Sequence, residues 1–178
     1  MLPKVTQKKP VKRTKTPEQA LSALMRMAAR AERSSGDARR LMRNWGVEPS
    51  EQAKVLEKLI EMRFIDDVRY AEAFVRDKLR FSGWGAFKIK AALRAKGIDS
   101  ETIEAALAQA DGGQMNERLL TMLRRKCRSV KYSTAYELRT KLIRYGSSLG
   151  YDFETVADAV AQILKNQDAD ETTFDTDF

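Results

Sequence analysis

The chain has 178 residues with 33 Lys and Arg, 25 Asp and Glu, one Cys and no His, and its formal net charge is +8. A single cysteine excludes an intramolecular disulfide, and the missing imidazole excludes Ser-His-Asp and Cys-His nucleophiles and histidine-ligated metals. The excess of positive charge favours a polyanionic partner, because net charge governs association more than it governs fold.

No stretch of about 18 apolar residues is present, so we predict no transmembrane helix. Residues 1–16 are basic but lack the apolar core of a signal peptide. We therefore expect a cytoplasmic protein with no membrane partner.

The two ends of the chain carry opposite charge. Residues 1–16 contain six basic and no acidic side chains, and residues 166–178 contain five acidic and no basic ones. Segments this polar bury too little apolar surface to offset the entropy of ordering them. We therefore predict a disordered basic leader and a disordered acidic tail.

The body of the chain has the composition and patterning of helices. Its long intervals are rich in Ala, Leu, Met, Glu, Lys and Arg, and no segment shows the period of two that strands require. We therefore predict an all-α protein. Helix starts are indicated at Thr16 with Gln19, at Asp66, and at Thr134 with Glu137, because these residues and spacings are typical of N-caps.

Three features have both a structural and a functional interpretation. Trp84 stands between two glycines, where packing on the adjacent helix is favoured over stacking on an exposed base. Cys127 continues an apolar stripe with Leu123, which favours a small buried hydrophobe over a nucleophile. A helix N-terminus explains Asp66 and Asp67 better than a divalent metal site does.

Three junctions share one pattern, in which a glycine, an apolar residue and an acid separate two helical segments. They are Gly46-Val47-Glu48, Gly97-Ile98-Asp99 and Gly150-Tyr151-Asp152, at separations of 51 and 53 residues. The glycine allows a left-handed helix end, and the acid suits the start of the next helix. A period of this size predicts tandem repeats. An alternative makes Gly146 the third junction, with the residues up to Gly150 inserted.

The period divides the body into three predicted three-helix repeats, over residues 17–64, 65–112 and 113–165. The leader (1–16) and the tail (166–178) flank them. Units of this size have small cores and stack on their neighbours, which predicts an elongated molecule.

The predicted middle helix of every repeat carries two basic residues three or four positions apart, so both charges lie on one face of the helix. These basic pairs are Arg40 with Arg43, Lys90 with Arg94, and Lys141 with Arg144. Further basic residues extend the set, namely Lys88, Lys96, Arg124, Arg125, Arg128 and Arg139. We predict that this set contacts nucleic-acid phosphates, with an affinity that falls as salt rises. A merely solvated charged face is the alternative.

Residues 64–98 resemble a known family. The segment FIDDVRYAEAFV at 64–75, then Gly83-Trp84-Gly85, Lys88-Ile89 and LRAKGI at 93–98, is similar to the central signature of the bacterial RecX regulatory proteins. The signature residues look structural, as caps, core and turns, and are Asp66, Asp67, Tyr70, Ala71, Phe74, Gly83, Gly85, Leu93 and Gly97. The signature does not identify contact residues, so those remain an inference from charge.

The resemblance implies an elongated, curved molecule of tandem three-helix repeats that lies along the groove of the RecA recombinase filament on single-stranded DNA. It implies a regulator that mostly inhibits RecA in recombination, DNA repair and the SOS response, with weak direct binding to DNA. It implies no catalysis, and we predict no cofactor, no metal and a monomeric chain.

Two other functions compete with this one. A stand-alone helical DNA-binding module acting in transcription would use one of the last two helices of a repeat as a recognition helix. An enzyme would need a metal site built on carboxylates, and the sequence shows no cluster of acids at ligand spacing.

Overall fold

The computed structural model of the chain describes residues 14–110 and 112–173. Within them are nine α-helices and one π-helical segment and no strand, which confirms the all-α prediction. No helix in this part combines the length and the apolar composition that crossing a membrane requires. Residues 1–13 of the predicted leader and 174–178 of the predicted tail lie outside the described residues.

The helices fall into three consecutive groups of three, which agrees with three-helix repeats. The first group is α1 (Pro17–Ala28), α2 (Ser35–Asn44) and α3 (Pro49–Glu61). The second is α4 (Asp67–Asp77), α5 (Ala86–Ala95) and α6 (Ser100–Ala108), with the π-helical segment (Lys78–Ser82) directly after α4. The third is α7 (Gly112–Ser129), α8 (Ala135–Leu149) and α9 (Phe153–Thr173), so α9 extends into the segment predicted as the acidic tail.

The chain forms two compact units that divide between Tyr70 and Ala71. In the first unit α1, α2 and α3 enclose a core of Ala20, Leu24, Ala38, Met42, Val47, Val55, Leu56, Leu59 and Ile65. In the second unit α7, α8 and α9 enclose a core of Leu119, Leu123, Cys127, Leu138, Leu142, Leu149, Tyr151, Val156, Ala159, Val160 and Ile163. Burying each large aliphatic side chain stabilises the fold by about 1.5–3 kcal/mol. Cys127 is buried and unpaired, which confirms its predicted place in the core.

Two helix starts have the predicted N-cap residues. At α1 the Thr16 hydroxyl accepts a hydrogen bond from the Gln19 N–H (3.3 Å), and the Gln19 side chain accepts one from the Thr16 N–H (3.2 Å). At α8 the Thr134 hydroxyl accepts from the Glu137 N–H (3.1 Å), but the Glu137 carboxylate accepts from Ser133 rather than from Thr134. Both helices therefore have a side-chain cap. The reciprocal hydrogen bond comes from the N-cap residue itself at α1 and from the residue before it at α8.

Asp66 caps the start of α4, as predicted from the sequence, whereas the Asp67 carboxylate binds at the start of α2. The Asp66 carboxylate accepts a hydrogen bond from the Arg69 N–H (3.0 Å) and so caps the helix. The Asp67 carboxylate accepts from the backbone N–H (2.8 Å) and the hydroxyl (2.6 Å) of Ser35, the first residue of α2. This part-buried contact ties the first turn of α4 to the first turn of α2.

The three junction glycines have left-handed backbone conformations, with φ of 69° at Gly46, 79° at Gly97 and 91° at Gly150. A residue with a Cβ is strained in this region, so glycine ends each helix there. Gly146 lies inside α8, where an added Cβ would stand 2.6 Å from the Val156 side chain. Gly150 is therefore the third junction, and the alternative at Gly146 is wrong.

Two of the three junction acids cap the helix that follows them. Asp99 accepts a hydrogen bond from the Thr102 N–H, and Asp152 accepts one from the Thr155 N–H, both at 2.8 Å. These backbone hydrogen bonds, together with bonds from the two threonine hydroxyls, lower the pKa of both aspartates. Glu48 forms no side-chain cap, and Pro49 follows it at the start of α3.

The ends of α5 and α8 meet within the second unit. The Gly85 N–H donates to the Leu149 carbonyl (2.8 Å), and the Phe87 N–H donates to the Gly150 carbonyl (3.0 Å). Carbonyl groups at the end of α8 thus satisfy N–H groups at the start of α5, which lack partners inside their own helix. A Cβ on Gly85 would overlap the backbone of Gly150, so only glycine allows this approach.

Gly85→Ala is expected to lower the free energy of unfolding by roughly 1–3 kcal/mol, because the added methyl group meets backbone atoms rather than a mobile side chain. Urea unfolding followed by circular dichroism measures the change. Gly36→Ala is the matched control, because Gly36 lies in the first turn of α2 without a positive φ and alanine favours a helix. Equal stability of the two variants would contradict the close approach of α5 and α8.

The capping aspartates are expected to make stability sensitive to acid. Their folded pKa values lie below the unfolded value of about 3.9, so their contribution is complete above that pH and is lost as the pH falls through the folded pKa. Asn also caps helices but does not titrate. The double variant Asp99→Asn, Asp152→Asn should therefore lose less thermal stability than the unchanged chain between about pH 6 and pH 3. An identical loss would show that these caps do not contribute.

Candidate functional site

The six residues of the basic pairs lie on α2, α5 and α8, the middle helix of each group of three. In each pair one member forms an ion pair with an acid of the chain. The other member is exposed and has no ion pair or side-chain hydrogen bond among the described residues. The structure therefore separates each predicted pair into two different environments.

Arg40 and Lys90 are ion-paired members. The Arg40 guanidinium lies 3.0 Å from the carboxylate of Asp37, which is one turn earlier on α2 and is buried. The Lys90 ammonium lies 2.7 Å from the carboxylate of Glu104 on α6. A phosphate that approached either cation would compete with a carboxylate already in contact.

Lys141 is the ion-paired member on α8. Its ammonium lies 2.7 Å from the Glu137 carboxylate and donates a hydrogen bond to the Lys131 carbonyl (2.8 Å). The hydrogen bond from Lys141, with one from the Ser133 N–H, lowers the pKa of Glu137. Lys141 thus links α8 to the segment that precedes it.

The remaining members are Arg43, Arg94 and Arg144, which we call the unpaired arginines. All three are exposed, and each lies on the middle helix of a different repeat. A guanidinium group keeps its charge at any physiological pH and can donate two parallel hydrogen bonds to a phosphate or carboxylate. These arginines can bind an anion without first breaking an internal ion pair.

A second group of exposed cations belongs to the third repeat. It consists of Arg124, Arg125 and Arg128 on α7 and Arg139 on α8. None of the four forms an ion pair among the described residues. Their density on two neighbouring elements makes this repeat the most basic part of the predicted site.

Lys88 and Lys96 are partly covered by the fold, as Lys90 and Lys141 are. The Lys88 ammonium donates to the Ser148 carbonyl (3.1 Å) and lies 4.8 Å from the centroid of the Trp84 ring. Lys96 ends α5 as its C-cap residue. Their contact with a partner remains a prediction.

The acids that neutralise the basic pairs were not singled out from the sequence. Asp37 and Glu137 stand three and four residues before their partners, a spacing that predicts an ion pair on one helix. Glu104 stands on the helix after Lys90, so only the packing of α5 with α6 brings the two together. Among the described residues, no group of three or more acids or cysteines lies close enough to hold a metal ion.

Residues 66–107 match the family model described as RecX, second three-helix domain. The chain is 31% identical over 121 residues to the regulatory protein RecX of Clostridium botulinum strain Eklund 17B, covering 67% of this chain and 56% of that relative. It is 28% identical over 160 residues to the regulatory protein RecX of Mycolicibacterium vanbaalenii, covering 86% and 87%. The chain thus spans little more than half of the clostridial relative.

The fold is similar to solved structures. The crystal structure of RecX from Lactobacillus salivarius superimposes with a TM-score of 0.73 and 21% sequence identity, over 84% of this chain and 96% of that one. A second crystal structure, of a regulatory protein RecX, gives a TM-score of 0.72 at 21% identity, over 78% of this chain and 68% of that one. At this identity the similarity establishes the helical repeat fold.

The unpaired arginines are expected to bind a polyanion more than the ion-paired cations do. The triple variant Arg43→Gln, Arg94→Gln, Arg144→Gln should lower the slope of log affinity against log salt for a single-stranded oligonucleotide by about 2, since each lost phosphate contact removes about 0.7. The control Arg40→Gln, Lys90→Gln, Lys141→Gln removes the same net charge and should change the slope less. Fluorescence anisotropy at several salt concentrations measures both. Equal slopes for the two triple variants would mean that net charge alone, and not the absence of an internal ion pair, determines oligonucleotide binding.

Proposed function

Because the chain belongs to the RecX family, we propose that it is a non-enzymatic regulator that binds the RecA filament on single-stranded DNA and inhibits RecA. The observation that supports this proposal is that the middle helix of each repeat carries an exposed arginine of the basic pairs without an ion pair, at positions 43, 94 and 144. A partner with a repeated anionic group, such as a nucleic-acid backbone, offers a phosphate to a cation of every repeat.

The chemistry of the exposed set favours binding over catalysis. A guanidinium group has five N–H donors and no acceptor, so these side chains are suited to holding anions rather than to transferring protons. They can neutralise phosphates and release counterions, which gives salt-dependent affinity. We propose that the regulator acts in the cytoplasm by occupying the filament, with Arg124, Arg125 and Arg128 as additional contacts of the third repeat.

The proposal predicts that the chain slows ATP hydrolysis by RecA on single-stranded DNA. The measurement adds the chain below parity with RecA and then at parity, at two salt concentrations. Inhibition well below parity would indicate that growth of the filament is blocked, because most protomers then have no regulator bound. The variant Arg43→Gln, Arg94→Gln, Arg144→Gln should inhibit less than the charge-matched control at the higher salt.

Two outcomes would contradict the proposal. Unchanged hydrolysis up to parity, with measurable binding to DNA alone, would favour the stand-alone DNA-binding module. Selective binding to one duplex sequence in the absence of RecA would do the same, since a transcription factor reads base edges in a groove. Equal inhibition by the two triple variants would keep the regulator but remove the unpaired arginines from its interface.

A further inference from the structure

Two phenylalanines stand on the surface beside the Gly83-Trp84-Gly85 loop. Phe81 is 70% exposed at the end of the π-helical segment, and Phe87 is 63% exposed in the first turn of α5. A phenyl ring gains about 1.5–3 kcal/mol when it is buried, so two such rings left in water near one loop are typical of a binding surface. Neither ring belongs to the core that α7, α8 and α9 enclose.

The backbone that carries these rings is held in place. The π-helical segment ends at Gly83, whose φ is 62°, and the Trp84 N–H donates to the Lys78 carbonyl (3.2 Å). The Arg118 guanidinium on α7 donates to the Arg80 carbonyl (3.0 Å). On the other side of the loop, the bond from the Phe87 N–H to Gly150 fixes the start of α5. Exposed rings on a fixed backbone lose little entropy when they bind.

Trp84 itself is partly covered by the fold. Its ring meets the edge of the Phe74 ring at a centroid distance of 6.4 Å, and the ammonium groups of Lys78 and Lys88 each lie 4.8 Å from its centroid. The predicted packing of this loop on the adjacent helix is therefore confirmed. Phe81 and Phe87, rather than Trp84, present ring surface to a ligand.

Cations accompany the exposed rings in this segment. The Arg80 guanidinium lies 5.3 Å from the centroid of the Phe81 ring, and the ammonium groups of Lys78 and Lys88 lie over the Trp84 ring, which stands between Phe81 and Phe87 in the chain. Aromatic rings with interspersed basic residues are the means by which proteins bind single-stranded nucleic acid, through base stacking and phosphate contacts. An apolar protein surface would bury these charges without compensation.

We propose that Phe81 and Phe87 stack on bases of single-stranded DNA whose phosphates contact Lys78, Arg80 and Lys88. The inference deepens the proposed function by naming bases, and not only phosphates, as a ligand of this face. The strand must be single, because the bases of a duplex are already stacked on each other and only an open strand presents free faces.

The test separates bases from phosphates by comparing two oligonucleotides of equal length, a thymidine oligomer and an abasic oligomer with the same backbone charge. The unchanged chain should bind the thymidine oligomer about tenfold more tightly for each base stacked, by fluorescence anisotropy. The variant Phe81→Ala, Phe87→Ala should lose this preference while its affinity for the abasic oligomer and its salt slope stay the same. Circular dichroism verifies that the variant remains folded.

Tyr136→Ala is the matched control, because Tyr136 is an aromatic residue of the same unit that is 80% exposed and lies outside this segment. It should retain the preference for bases. Equal binding of the two oligomers by the unchanged chain, or a preference that survives in the double phenylalanine variant, would overturn the inference. RecA inhibition is measured on the same variants. If the double phenylalanine variant still inhibits RecA but the chain shows no preference for bases, the proposed function stands and the stacking inference is wrong. If the variant loses inhibition while its oligonucleotide binding is unchanged, the rings contact protein and the stacking inference is also wrong.

Discussion

The contact between Gly85 and Gly150 is the constraint on which the second unit depends. Two backbones come so close that neither position tolerates a Cβ, and the carbonyl groups that end α8 satisfy the N–H groups that begin α5. Hydrogen bonds of this kind are directional, so they fix the register between two repeats where apolar packing alone would allow sliding. The same bonds determine where Phe87 and Lys88 stand, because both follow Gly85 within one turn of α5.

Internal ion pairing shapes the charged surface as much as the number of cations does. An exposed ion pair stabilises a protein by about 0–1 kcal/mol, so the pairs of Lys90 and Lys141 are weak contributors to folding, whereas the Arg40 pair has a buried partner in Asp37. Their effect is that one of the two cations in each basic pair already contacts a carboxylate and is less available to another anion. Of the basic pairs, one guanidinium in each repeat remains without an ion pair.

Features that depend on neighbouring residues were predicted correctly from the sequence, whereas contacts between residues far apart in the chain were not predicted. The Thr16 cap, the junction glycines and the buried Cys127 follow from residues within a few positions of each other, where propensity and capping act. The approach of Gly85 to Gly150 joins residues far apart in sequence, and the pairing of Lys90 with Glu104 depends on how two helices pack. Neither contact produces a recognisable residue spacing in a single sequence. Among candidate site residues, sequence alone gave the positions of the cations but not which of them an acid neutralises.

The hydrogen bonds of Asp67 bear on the independence of the repeats. Its carboxylate is bound by Ser35, which belongs to the preceding repeat, while Gly85 of the same repeat is bound by the end of α8 in the following one. The second repeat therefore has part of its backbone and one of its carboxylates satisfied from outside its own limits. Excised as a fragment, it would leave these groups to water. The recurring sequence unit is consequently a unit of pattern, and the second copy completes its hydrogen bonding with groups of both neighbouring copies.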